Sequence, residues 1–126
     1  MTAVVVDAST VAAVVFGEPA AEALVERLGT RELAAPSLLP YEIVSVAAGK
    51  VRRGEVSADT ATAALAAFAR MRILLHATDP MSVFRLTVQV RLTAYDAAYL
   101  WLARSLSADL VTLDAKLARA WSRRGR

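Results

Sequence analysis

Val4, Val5 and Val6 form a β-branched run near the N-terminus that stops on a carboxylate, Asp7, before Ala8-Ser9-Thr10 opens an apolar helical pattern. A run this short and this apolar, followed at once by helix, reads as a buried strand feeding a crossover. Asp7 then stands at the strand's carboxyl end, the edge of an open α/β sheet where ligands bind. The rest of the chain repeats the arrangement. Ser9 to Phe16 is apolar enough for a short helix ended by Gly17, and Pro19 opens an amphipathic one with Ala21, Leu24, Val25 and Leu28 on one face, ended by Gly29. Leu33 to Pro36 reads as a second strand, Ser37 as the N-cap of an apolar helix from about Leu38 to Arg53, and Ser57 with Asp59 as the start of a fourth helix. Ile73 to Leu75 gives a third strand, Asp79-Pro80 the cap and first turn of a fifth helix toward Arg91, and Thr93 the start of a sixth. Leu110 to Leu113 gives a fourth strand, and Asp114 to Arg123 a seventh helix.

Short continuous apolar strands separated by helices predict a parallel sheet covered on both faces, within one domain spanning residues 1–126. Right-handed crossovers place every strand's carboxyl end on one edge, so Asp7 and Asp114 are expected on the same side. The hydrophobic fraction of 56% is inflated by alanine, and every apolar stretch is interrupted well before the ~18 residues a membrane span needs. A soluble protein without a secretory leader is expected, with no membrane partner. The sequence holds no cysteine, which excludes disulfides, thiolate catalysis and sulfur-ligated zinc and suits a cytoplasmic location. Net charge is +3, with the basic residues concentrated between Arg70 and Arg126. That asymmetry is compatible with a phosphate-bearing partner and equally with a solvated helix face and basic tail.

Four of the twelve acidic residues lie in apolar company: Asp7 in VVVDAS, Glu42 in LLPYEIVSV, Asp96 in TAYDAAYLWLA and Asp114 in LVTLDAKLA. An ionised carboxylate in such surroundings costs several kcal/mol in effective desolvation unless it is paired or bound to metal. Asp7 and Asp114 could each cap a helix, and Thr93 with Asp96 has the spacing of a capping box. Glu42 falls beyond the first turn expected for its helix and has no basic residue within one turn, so it resists that reading. If it turns toward the strand ends, four carboxylates converge, a charge that two hard divalent cations would neutralise.

These segments resemble the PIN-domain ribonucleases, and among them the VapC toxins of bacterial toxin-antitoxin pairs. The resemblance runs through VVVDAST, APSLLPYEIVS, the VRRG at Val51 to Gly54, LTAYDAAYLWLA and LVTLDAKLARA, in matching order across nearly the whole chain. It implies a PIN-like three-layer α/β/α domain with a four-stranded parallel sheet and about seven helices. It also implies an endoribonuclease dependent on Mg²⁺ or Mn²⁺, held inactive by a small cognate VapB-like antitoxin and forming a homodimer. Carried over by position, Asp7, Glu42, Asp96 and Asp114 match the acidic quartet, with Asp7 and Asp96 as direct metal ligands and Glu42 and Asp114 completing the shell or orienting water. Ser9 and Thr112 match the hydroxyls after the first acid and before the last, expected to contact substrate phosphate or the acidic ligands themselves, though residues beside strand ends are as often simple caps. Ser45 stands where the family often carries asparagine, and the chain stops before the further edge strand of many relatives, which is why four strands are expected. The rival expectation is a non-catalytic PIN-like domain that binds RNA or protein. His76 reads as a surface or half-buried histidine, and Tyr95, Tyr99 and Trp101 as core or dimer contacts.

Overall fold

The structure is a computed structural model that describes residues 3–123; Arg126, the end of the basic stretch, lies outside the described residues. Four strands, β1 (Val4–Val6), β2 (Leu33–Pro36), β3 (Leu74–His76) and β4 (Asp109–Val111), form one parallel sheet in the order β3-β2-β1-β4. Seven helices join them: α1 (Ala8–Val15), α2 (Ala21–Leu28), α3 (Leu39–Arg52), α4 (Ala58–Arg70), α5 (Pro80–Val90), α6 (Ala94–Ser105) and α7 (Ala115–Ser122). No helix among the described residues is long and apolar enough to cross a membrane.

The valine run behaves as its composition requires. Side chains alternate between faces along a strand, and Val4, Val5 and Val6 are all fully buried, so both faces of β1 are covered. Val4 and Val5 pair with Leu33 and Ala34 on one side, and Val4, Val5 and Val6 pair with Asp109, Leu110 and Val111 on the other. Helix α6 packs on β1, β2 and β4 and carries α5 and α7 beside it, while α1 packs against α2, α3 and α4. Tyr99, Leu100 and Leu102 of α6 join Leu39, Ile43, Val11 and Leu117 in one continuous core.

Several boundaries differ from expectation for local reasons. Ser37 does not cap α3: its N–H donates to the His76 carbonyl at 2.9 Å and prolongs the β2–β3 ladder, so Leu38 takes the cap position without a side-chain hydrogen bond. Helix α3 therefore starts at Leu39, and Glu42 lies in its first turn rather than beyond it. Strand β3 is shifted by one residue, because Ala34, Ala35 and Pro36 pair with Leu74, Leu75 and His76. Strand β4 begins at Asp109 and ends at Val111 instead of running to Leu113. Val25, expected on the buried face of α2, is exposed, whereas Leu24 and Leu28 are buried. His76 is half-buried at the end of β3.

Candidate active site

Parallel strands deliver their carboxyl ends to one edge, and two acids arrive there as helix caps. Asp7 leaves β1 in extended conformation and caps α1, its Oδ1 accepting from the Thr10 N–H at 3.1 Å. The same oxygen accepts from the Ser9 hydroxyl at 2.7 Å, and Oδ2 accepts from the Thr112 hydroxyl at 2.6 Å. At 5% exposure the carboxylate is buried, and these donors replace the water it has lost. Beneath it the buried Thr10 hydroxyl donates to the Val111 carbonyl at 2.9 Å, tying the start of α1 to β4.

Ser9 and Thr112 are thereby engaged on both sides. Ser9 accepts from the Leu113 N–H and Thr112 from the Asp114 N–H, each at 3.0 Å, while both hydroxyl protons go to Asp7. Of the contacts expected for these two residues, the one to an acidic ligand is formed, and they lock the β4–α7 turn onto the β1–α1 turn. Asp114 follows as the exposed N-cap of α7, its Oδ1 accepting from the Leu117 N–H at 3.0 Å.

Glu42 and Asp96 reach the same edge from first turns of helices. Glu42, half-buried on α3, accepts a 2.6 Å hydrogen bond from the Tyr99 hydroxyl of α6. Tyr99 is 1% exposed, and its phenol is pushed well above its usual range by burial first and then by the Glu42 contact. Burial raises the Glu42 pKa; the Tyr99 hydrogen bond offsets part of this, and the charges of Asp96 and Asp7 add to the rise. Asp96 sits in the first turn of α6, where its N–H donates to the Thr93 hydroxyl oxygen at 3.1 Å. Its pKa is raised by burial and then by the Asp114 charge, lowered by Thr93, raised again by Asp7 and lowered by Lys116. Asp96 thus lies within electrostatic reach of Asp7, Glu42 and Asp114, and Glu42 within reach of Asp7.

The caps at Asp7 and Asp114 are formed, and of the capping box the Thr93 half is formed, its hydroxyl oxygen accepting from the Asp96 N–H. Among the described residues no group of three or more His, Cys, Asp or Glu side chains stands closed around a point that would hold a metal ion. The donor set itself is all oxygen, the chemistry that suits Mg²⁺ or Mn²⁺, and Mg²⁺ commonly takes one or two carboxylates and keeps several waters. The residues present therefore fit a hard divalent cation that completes its shell with water. Tyr99 is the site residue that the sequence reading assigned to the core or a dimer contact: a tyrosine on a buried helical face is core by pattern, and only the position of Glu42 gives its hydroxyl a role. Tyr95, next to Asp96, is exposed.

Comparison with known proteins gives the chain a family. Residues 4–121 match the PIN domain family. Ribonuclease VapC3 of Pyrobaculum aerophilum is 32% identical over 119 residues, covering 90% of this chain and 91% of that protein. The crystal structure of PAE2754 from Pyrobaculum aerophilum superposes with a TM-score of 0.75 at 28% identity, over 94% of this chain and 85% of that one. Mycobacterium tuberculosis VapC20, a toxin that cleaves the sarcin-ricin loop, shares the fold with a TM-score of 0.66 at 13% identity, over 93% of this chain and 94% of its own. With a family match across almost its entire described length and a VapC ribonuclease as a full-length relative, the chain belongs to the PIN-domain family, in its VapC group.

Proposed function

We propose that the protein is a metal-dependent endoribonuclease, the toxin of a toxin-antitoxin pair, which hydrolyses RNA phosphodiester bonds in the cytoplasm. The observation that carries this reading is the mutual charge of the four acids. Asp96 and Glu42 are each raised in pKa by burial and by neighbouring carboxylates, an arrangement without structural benefit unless a cation relieves it. Asp7 and Asp96 would hold Mg²⁺ or Mn²⁺, with Glu42 and Asp114 completing the site. When bound, the cation contributes neutralisation of phosphate charge and a lowered pKa for a coordinated water. Ser9 and Thr112 keep Asp7 in one orientation through both its oxygens. Glu42, with Oε1 fixed by Tyr99, presents Oε2 to orient the attacking water and take its proton. Hydrolysis in this sense leaves a 5′-phosphate and a 3′-hydroxyl.

Two apolar faces support the partners expected of such a toxin. A groove of about 340 Å³ between α3 and α4, lined by Val44, Ala47, Val51, Ala61 and Leu65, has the concavity that suits an amphipathic helix of a small VapB-like antitoxin. Met81, Phe84 and Val88 form an exposed stripe on α5, which suits an isologous contact with a second copy. The rival reading is a PIN-fold domain that binds without cutting, and it draws support from the four acids not closing around one point.

Cleavage separates the two. Purified protein with Mn²⁺ should cut RNA internally, EDTA should stop it, and Asp7→Asn or Asp96→Asn should each lower the rate by at least about 100-fold. Undiminished cleavage by both variants, or none by the parent on a broad set of RNAs, overturns the assignment.

A further inference from the structure

Beside the acidic edge, the turn between α5 and α6, the end of α6 and one face of α7 enclose a cavity of about 500 Å³. Arg91, Arg104, Lys116, Arg119 and Arg123 line it, and no aspartate or glutamate does. All five are exposed, and none forms an ion pair among the described residues. Lys116 and Arg119 share one face of α7, which Arg123 continues at the helix's end, so the cations follow a line of about 10 Å. Arg91 closes α5 in left-handed conformation, with φ 55° and ψ 43°, a region where glycine is the easier residue; the chain places a cation there.

The cavity adjoins the acidic edge at Lys116, which lines it and lies in the first turn of α7, two residues after the N-cap Asp114. Four carboxylates repel a polyanion, so a nucleic-acid strand approaching them needs favourable charge close by, and an unneutralised basic cavity supplies it. We infer that this cavity holds the sugar-phosphate backbone of the RNA beside the bond to be cut, an inference that rests on the nuclease reading above. Planar guanidinium groups match phosphate oxygens in pairs. No aromatic ring lines the cavity, and its apolar lining is limited to Val90, Leu92 and Ala120, so it grips neither stacked bases nor a hydrophobic peptide. The contact is therefore with phosphate and independent of sequence.

The double variant Arg104→Gln/Arg119→Gln tests this by fluorescence anisotropy with two short labelled single-stranded RNAs of different sequence, in EDTA so that nothing is cut. Each phosphate contact on a single strand contributes about 0.7 to the slope of log affinity against log salt. The variant should lose about 1.4 from that slope and bind about tenfold more weakly near 0.15 M salt, equally for both RNAs, with unchanged circular dichroism. Arg123→Gln alone should lose about 0.7, which covers the case in which the double variant misfolds. A variant slope equal to the parent's, no RNA binding by the parent, or Arg104- and Arg119-dependent binding of polyglutamate in place of RNA overturns the inference. RNA bound by the parent with a slope that falls in the variants, but left uncut in Mn²⁺, supports the cavity and contradicts the nuclease reading alone.

Discussion

At Tyr99 a core residue becomes part of the site. Its ring is enclosed in the main core, and its hydroxyl reaches the Glu42 carboxylate at 2.6 Å. A donor aimed at the ionised form lowers a carboxyl pKa, so the hydroxyl counters the burial and like charges that raise Glu42. Tyr99→Phe keeps the ring and removes the donor. The variant should move the acid limb of the cleavage profile to higher pH and lower cleavage about tenfold, with a stability loss of about 1 kcal/mol. An unmoved acid limb would assign Tyr99 to packing alone. Asp7, Glu42, Asp96 and Asp114 were legible in the sequence because acids in apolar runs are conspicuous. Contact of Ser9 and Thr112 with an acid was among the expectations, but nothing in their spacing says that both protons go to Asp7.

Among the elements, β2 coincides with its apolar run from Leu33 to Pro36, and Asp79-Pro80 opens α5 as expected. β4 departs, and the site is the cause. Thr112 leaves the ladder to donate to Asp7, and Asp109 pairs with Val4 at the other end, so the strand slides toward the N-terminus of its run. Helix α5 shows a second departure from an apolar pattern's usual meaning. Val83 and Leu86 face the core, yet Phe84 and Val88 are 63% and 67% exposed, and with Met81 they lie on one helical stripe. A contiguous exposed apolar face marks an interaction surface. If a second copy covers it, Phe84→Glu buries two like charges at the symmetric contact and should convert a dimer into a 13.5 kDa monomer in light scattering. Equal masses for parent and variant would remove α5 from the interface.

For the whole molecule, strand order brings together what the chain keeps far apart. Asp7 and Thr112 are 105 residues apart in the chain and hydrogen-bond because β1 and β4 are neighbours. Fold class was readable because it depends on runs and order. The basic cavity was not, because Arg91, Arg104 and the α7 face meet only after α5, α6 and α7 pack. Convergence of the acids also has a thermodynamic signature. A carboxyl whose folded pKa exceeds its unfolded value takes up a proton on folding, so its contribution is present below the unfolded value and is lost as pH rises through the folded one. Asp96 and Glu42 are both raised, from ordinary values of 3.8 and 4.5. The metal-free protein should therefore lose stability as pH climbs from about 4 toward neutrality.

Melting curves of the parent and Asp96→Asn, each in EDTA and in Mn²⁺ at neutral pH, test the shared site most directly. Asp96→Asn should melt above the parent in EDTA, with the gap closing as pH falls toward about 4, because it removes one of the repelling charges. Mn²⁺ at about 100 times its dissociation constant should stabilise the parent by about 2.7 kcal/mol and the variant by much less. Equal Mn²⁺ shifts in the two proteins would contradict a metal site that includes Asp96.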